Sequence, residues 1–446
     1  MVPDSMSSDV PPPDAGNAGY VGDAGDAGDA LPPLVGLRNI SPLRMAKIHL
    51  PEEYVDRARY EIATVLQYWD YRPELWNIIG FTAAATDRLS AAAPVAHPIV
   101  EVVMRSPIVQ SPVVVRCQPM SLSERDIVAR HAFMRHLTAR GLPVPTLLTR
   151  PEGSAYAVVP VVPLTDPQQA DGFSYVLENA IYDVQVYVPG RRFVTDGPSE
   201  DSYLEAAART LAALHIASQD FSGPTHQWPQ DRSALAFARL YLARIAADSH
   251  GAEVSRALAT GLRRLARAGE RWVTAAAERI EQQSDLPRLH IHGDYQPHNL
   301  AFEADSVCAI YDFDAMRWDW RILELAYALL AFTGLRWEDE TAASVAGATP
   351  PLVTSGLDLE RARAFLAAYG QIAKPQPGEA ELLGDALLLV LPVIFVNGIA
   401  DDLVSAEQNG RSIYSQRECR AHLEWAETFP AWVEEQRATL RDAWER

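Results

Sequence analysis

His292-Gly293-Asp294-Tyr295-Gln296-Pro297-His298-Asn299, followed by Asp312-Phe313-Asp314, is the stretch whose reading decides the fold. Asp294 precedes Asn299 by five residues. Phosphoryl-transfer loops share that spacing; there the carboxylate orients an acceptor hydroxyl and the amide holds a divalent cation. Between the two pieces, Leu300-Ala301-Phe302-Glu303 and Val307-Cys308-Ala309-Ile310-Tyr311 read as short strands around the polar turn Ala304-Asp305-Ser306. A hairpin turning about Asp305 sets Asn299 opposite Tyr311 and so beside Asp312. Two oxygen ligands then converge on one hard cation, as Mg²⁺ with a triphosphate requires.

A second chemistry is written over the same residues. On a strand, His290, His292 and Asp294 share one face, and two imidazoles with a carboxylate could make the zinc site of a metal-dependent hydrolase. That reading leaves Asn299 and the Asp-Phe-Asp triplet without a role. With the loop spacing instead in force, His292 is expected to brace the loop through a backbone hydrogen bond, and His290 to sit in ordinary packing.

The stretch resembles the aminoglycoside phosphotransferase and choline kinase family of small-molecule kinases. That family's pattern is His-Gly-Asp, four residues, Asn, a hairpin and an Asp-Phe-type triplet. The chain continues in the same manner with Arg321-Ile322-Leu323-Glu324-Leu325-Ala326-Tyr327-Ala328-Leu329, a helix with an acidic residue just before Leu-Ala. The resemblance implies an α+β, two-lobed protein-kinase-like fold with a small β-rich N-lobe and a larger helical C-lobe. It implies Asp294 as catalytic base, Asn299 and Asp312 as Mg²⁺ ligands, ATP or GTP as co-substrate and a small-molecule hydroxyl as acceptor. Asp314 falls where the family varies; it is expected either to tune the metal site or to cap the next segment, and with His292 to support the loop.

Composition agrees with a soluble globular chain: 48% hydrophobic and 22% charged residues over 446 positions, ample for a two-lobed core. A formal net charge of -19 argues against nucleic acid or an anionic membrane as partner. Cys117, Cys308 and Cys419 are widely spaced and include no Cys-x-x-Cys pair, which points to a reducing, cytoplasmic compartment. The apolar run from Ala386 to Val396 contains Pro392 and is too short for a bilayer, so it reads as a buried helix.

Along the chain, residues 1–37 form a low-complexity tail, with Pro11-Pro12-Pro13 and repeated Gly-Asp-Ala, too polar to offset the entropy of ordering. Residues 38–77 read as an N-terminal helical extension, with Tyr54, Ala58, Ile62, Val65 and Trp69 at helical spacing. Residues 78–190 read as the nucleotide-binding N-lobe. It holds strands at Ile99–Met104 and Pro112–Arg116, then a helix from Ser123 to Arg140 with Ile127, Met134 and Thr138 on one face, then strands at Ser174–Glu178 and Asp183–Val188. Residues 191–446 read as the helical C-lobe with the catalytic loop and acceptor site.

Three departures from the family mark the N-lobe. Ala91-Ala92-Ala93-Pro94 stands where a Gly-rich loop would cover phosphate. The strand cation is Arg116 rather than Lys; it is either a phosphate ligand or an exposed strand residue. The helix Glu that would hold that cation is missing, its place taken by Arg130-His131, so Arg116 has no partner assignable from sequence. The nucleotide base is expected against the link at Tyr187 and Val188. These gaps keep a second hypothesis alive, a non-catalytic nucleotide- or ligand-binding protein on a kinase scaffold. The acceptor pocket would come from C-lobe helices, where Asp401, Asp402 and Glu407 either meet an amine or form a solvated acidic face. Because the tail cannot build a core, deleting residues 1–37 is expected to leave the melting temperature and activity unchanged. A cooperative loss of stability in a thermal melt would show that the tail docks on the domain.

Overall fold

The computed structural model describes residues 62–72, 77–83, 99–105, 112–118, 123–161, 178–224, 238–239, 242–243, 245–246, 256–337, 356–395 and 416–446. All of them fall in one compact unit. The tail, most of the N-terminal extension, Ala91–Pro94 and the acidic residues Asp401, Asp402 and Glu407 lie outside the described residues. Of the extension, residues 62–67 are helical. Val65, Leu66 and Trp69 are buried there, and the Trp69 indole N–H donates to the Leu148 carbonyl at 2.9 Å.

Runs of β-branched residues form one antiparallel sheet. Its strands are β1 (Asn77–Ala83), β2 (Ile99–Arg105), β3 (Val113–Cys117), β4 (Tyr156–Val161) and β5 (Glu178–Val186), in the spatial order β1-β2-β3-β5-β4. The strand expected at 183–188 is the end of a longer one that stops at Val186, and residues 174–177 lie outside the described ones. The sequence reading missed β4. Its Pro160 argues against a strand, yet β4 is an edge of the sheet, where a residue without an N–H is tolerated.

Helix α1 (Glu124–Ala139) connects β3 to β4 and starts at a capping box: the Ser123 hydroxyl accepts from the Asp126 amide while the Asp126 carboxylate accepts from the Ser123 amide. Ile127 and Met134 are buried as expected, but the rest of the buried face differs. Thr138 is exposed, and Arg130, His131, Phe133 and Leu137 are buried instead. A pattern that counts only apolar residues cannot place Arg130 and His131 inside, because charged side chains are buried only when paired, and their partners lie far away in sequence.

The larger lobe holds α2 (Glu200–Ser218), α3 (Arg256–Gln282), β6 (Arg288–Ile291), the hairpin β7 (Leu300–Glu303) and β8 (Ser306–Ile310), β9 (Arg317–Trp320), α4 (Arg321–Thr333), α5 (Leu359–Gly370), α6 (Leu383–Phe395) and α7 (Gln416–Glu445). Every residue of α6 is buried; its sequence is apolar but for Asp385, whose carboxylate is paired with Arg279 and Arg437. It packs against α3, α4 and α7, while α2 packs on α5. Arg321 at the start of α4 is buried against Glu379, its Nε donating to that carboxylate at 2.8 Å, which ties α4 to the turn before α6. No helix among the described residues is long and apolar enough to cross a membrane.

His290 on β6 lies in the junction between α1 and this lobe, its ring 5.8 Å from Phe133, 4.8 Å from Phe221 and 5.1 Å from Trp318. Both ring nitrogens are buried without a hydrogen-bond partner among the described residues. Burial disfavours the imidazolium and pushes the pKa down to about 4 from its usual 6.5. Between those values the unfolded chain binds a proton that the native chain does not, so stability falls as pH drops from about 6.5 to about 4. The contribution is at most about 3 kcal/mol. Urea titrations at pH 7 and pH 4.5 are expected to show a smaller stability loss for His290→Leu than for the parent. An identical loss in both proteins would remove His290 from the acid response.

Candidate active site

The His292–Asn299 loop leaves β6 through Gly293, whose φ of +84° is left-handed. A Cβ there would sit 2.1 Å from the Ala315 carbonyl oxygen, so only glycine fits. Beneath the loop, Glu324 of α4 is fully buried and accepts the amide N–H groups of His292 at 3.2 Å and Gly293 at 2.5 Å. His215 of α2 places Nε2 2.8 Å from the same carboxylate, and its Nδ1 is 2.7 Å from the Tyr369 hydroxyl of α5. With Nε2 protonated toward Glu324, Nδ1 accepts from Tyr369. Burial pushes the Glu324 carboxyl up, but the His215 hydrogen bond, with the Gly293 amide, outweighs it and holds the group below its usual range. Three helices thus converge on two backbone amides.

That scaffold aims Asp294 into a converging set of donors. Its Oδ1 accepts from the Tyr327 hydroxyl at 2.6 Å. Gln296 Nε2 lies 3.0 Å from both carboxylate oxygens. Asn299 Nδ2 donates to Oδ2 and to the Asp294 carbonyl, each at 2.8 Å. Both amide hydrogens of Asn299 are used in this way, so the remaining polar atom of the side chain is its amide oxygen, an acceptor. Burial, helped by the charge of Asp312, raises the Asp294 pKa; the Tyr327 and Asn299 hydrogen bonds pull in the other direction.

The hairpin forms, with Leu300 opposite Ile310 and the Tyr311 amide donating to the Asn299 carbonyl at 2.8 Å, but its turn is tighter than expected: Ser306 pairs with Glu303, and a register shift between Ala301 and Phe302 restores the expected pairing at the Asn299 end. Asp312 follows in the left-handed region (φ +61°, ψ +67°), a conformation uncommon for a residue with a side chain. His292 Nε2 is 2.7 Å from the Tyr311 carbonyl, and its Nδ1 accepts from the Asp294 amide at 3.2 Å. His290 points instead into the aromatic junction, so the three members of the zinc reading do not converge. Among the described residues no group of three or more His, Cys, Asp or Glu is placed to hold a metal ion.

Arg116 is buried and reaches across to the triplet: its Nη2 donates to Asp312 Oδ1 at 2.8 Å and to Asp314 Oδ2 at 2.9 Å. It is neither an exposed strand residue nor held by a helix carboxylate. Partial burial raises the Asp312 carboxyl, but the charge and hydrogen bond of Arg116 more than offset this and hold it at about 2. Asp314 is raised by burial and by Asp312, against the pull of Arg116 and Arg130. Arg130 donates to Asp314 Oδ1 and to Gln118. At the link, the Tyr187 amide donates to the Pro112 carbonyl at 2.8 Å, and the Val188 carbonyl accepts from the Tyr311 hydroxyl.

Sequence reasoning did not single out Tyr327, Gln296 or Asp183. Tyr327 carried a signal, since it lies three residues after Glu324 on one helix face and so next to the loop that Glu324 holds. Asp183 carried none; a carboxylate in a β-strand becomes notable only when its neighbours across the sheet are known.

The model of the phosphotransferase enzyme family matches residues 108–366. No functionally curated protein is similar to the chain in sequence. Among solved structures, a microcompartment-associated aminopropanol kinase is 13% identical with a TM-score of 0.51, the alignment covering 88% of this chain and 99% of that one. An aminoglycoside phosphotransferase from Alicyclobacillus acidocaldarius is 13% identical over 86% of this chain and 96% of that one, with a TM-score of 0.49. A choline kinase from Cryptosporidium parvum is 10% identical over 88% and 96%, with a TM-score of 0.47. At such identities the likeness shows the fold alone. The family match spans more than half of the sequence and contains every element of the loop and hairpin just described, so the chain belongs to the phosphotransferase enzyme family, with a protein-kinase-like fold.

Proposed function

We propose that the chain transfers the γ-phosphoryl group of ATP or GTP to a hydroxyl of a small molecule, of the aminoglycoside, amino-alcohol or sugar class. The observation that carries this reading is the 2.8 Å bond from Asn299 to the Asp294 carboxylate, with the Asn299 carbonyl paired to the Tyr311 amide next to Asp312. It supports a base and two cation ligands sharing one site.

Asp294 accepts the hydroxyl proton as the new oxygen–phosphorus bond forms and the bond from the γ-phosphorus to the bridging oxygen breaks. Tyr327, Gln296 and Asn299 fix the orientation of its carboxylate, so that no rotamer search precedes the transfer. Asn299 and Asp312 are the residues to hold Mg²⁺; the Asn299 amide oxygen and the second oxygen of Asp312 suit a hard cation. When bound, the ion neutralises charge on the phosphates. Arg116 is assigned to the phosphates, where its planar fork suits their oxygens. At the link, the Tyr187 carbonyl and Val188 amide are the main-chain groups that meet the nucleotide base. His292 and Asp314 support the loop rather than react.

A nucleotide-consumption screen against amino sugars, macrolides, nucleosides and amino alcohols identifies the acceptor. With that acceptor, Asp294→Asn is expected to lower turnover by at least about a hundredfold while nucleotide affinity stays within a few fold, because the base acts in the transition state. Near-parental turnover would reject the role of Asp294.

A further inference from the structure

Two arginines meet at the Asp312-Phe313-Asp314 turn, and they are not equivalent. Arg116, 6% exposed, divides one terminal nitrogen between Asp312 Oδ1 and Asp314 Oδ2. Arg130, 3% exposed, takes the other oxygen of Asp314. Its second terminal nitrogen donates to Gln118 and lies 3.6 Å from Asp183. Gln118 in turn donates to Asp183 at 2.6 Å. Asp183 is fully buried, stands directly opposite Arg116 in the β3–β5 register, and also takes His131 at 3.0 Å and Gln185 at 3.1 Å. Arg130 is therefore fixed from the strand side and presented to Asp314 alone among the triplet carboxylates.

We infer that Arg130 is a positioning residue for Arg116: by holding Asp314, it limits the claim of that carboxylate on Arg116 and keeps Arg116 directed at Asp312 and the nucleotide phosphates. The inference rests on the phosphate role proposed for Arg116. The charge logic is simple. Asp312 and Asp314 both face Arg116, and a nucleotide phosphate must compete with both for the same guanidinium. Arg130 supplies the second positive charge that satisfies Asp314. Without it, the whole charge of Asp314 falls on Arg116 in a partly desolvated site, where Coulomb attraction is weakly screened. The phosphate then loses its cation although Arg116 itself is intact. In this arrangement α1 governs the strand cation through a cation of its own, with Asp314 as intermediary, in place of a helix carboxylate that would grip the strand cation directly.

Calorimetric titration of the full chain with Mg²⁺ and a non-hydrolysable ATP analogue tests this, with thermal melts to confirm folding. Arg130→Met is expected to weaken binding by about tenfold, roughly the value of one charge-assisted contact. Asp314→Asn removes the competitor and is expected to bind at least as tightly as the parent. The double variant is expected to return to within about threefold of Asp314→Asn, a rescue that a merely structural role for Arg130 does not produce. Parental binding by Arg130→Met, or a double variant as weak as Arg130→Met, would overturn the inference. Should Arg130→Met not fold, Asp314→Asn decides alone, since weaker binding by that variant contradicts competition. Arg116→Ala separates the underlying reading. If it binds like the parent, the phosphate role of Arg116 fails; if it weakens binding while Arg130→Met does not, only the positioning role fails.

Discussion

The Glu324 carboxylate accepts the amides of His292 and Gly293 together with the His215 ring, and the position of Asp294, the next residue of the loop, follows from that. A buried carboxylate without donors would cost several kcal/mol and would protonate. Here it is satisfied by the backbone of the loop it supports, so the loop cannot leave without exposing an unpaired charge. Because His215 comes from α2 and Tyr369 from α5, the same contact joins three helices of the larger lobe to one turn. Tyr327, on the same helix as Glu324, then bonds the Asp294 side chain directly.

The second constraint is electrostatic and links the lobes. Arg116 and Arg130 from the N-lobe end on Asp312 and Asp314 of the C-lobe turn, and Asp183, His131 and Gln118 anchor those arginines from behind. Asp183 stays ionised even though burial opposes it, because the His131 hydrogen bond and the charges of His131, Arg130 and Arg116 outweigh the desolvation. Breaking one member of such a network costs more than the pair is worth, since it strands a buried charge. The network does without the strand-Lys and helix-Glu pair because the carboxylate partners have moved to the triplet turn and to β5.

Much of the His292–Asp314 segment was legible from residue order. The hairpin between Asn299 and Asp312 is a local structure, two short apolar strands about a polar turn that bring Asn299 to Tyr311, although the register shift between Ala301 and Phe302 was not legible. The α1 start was equally local, since a Ser followed three residues later by an acid caps itself. The strand at Tyr156–Val161 was not legible, because whether Pro160 is tolerated depends on which strand lies at the sheet edge. The buried face of α1 was misread at Thr138 for a related reason: the residues that make Arg130 and His131 buriable come from β5 and from the triplet turn.

What the sequence by itself determined is the family, the two-lobed architecture and the identity of the loop residues, all carried by short-range spacing that a hairpin and a helix cap convert into geometry. What only the tertiary structure decided is which charges meet. Arg116 was one unassigned cation on a strand until folding brought Asp312 and Asp314, almost two hundred residues later, within hydrogen-bonding distance. Opposite charges select each other by distance and desolvation, and neither quantity is written in the order of residues along the chain.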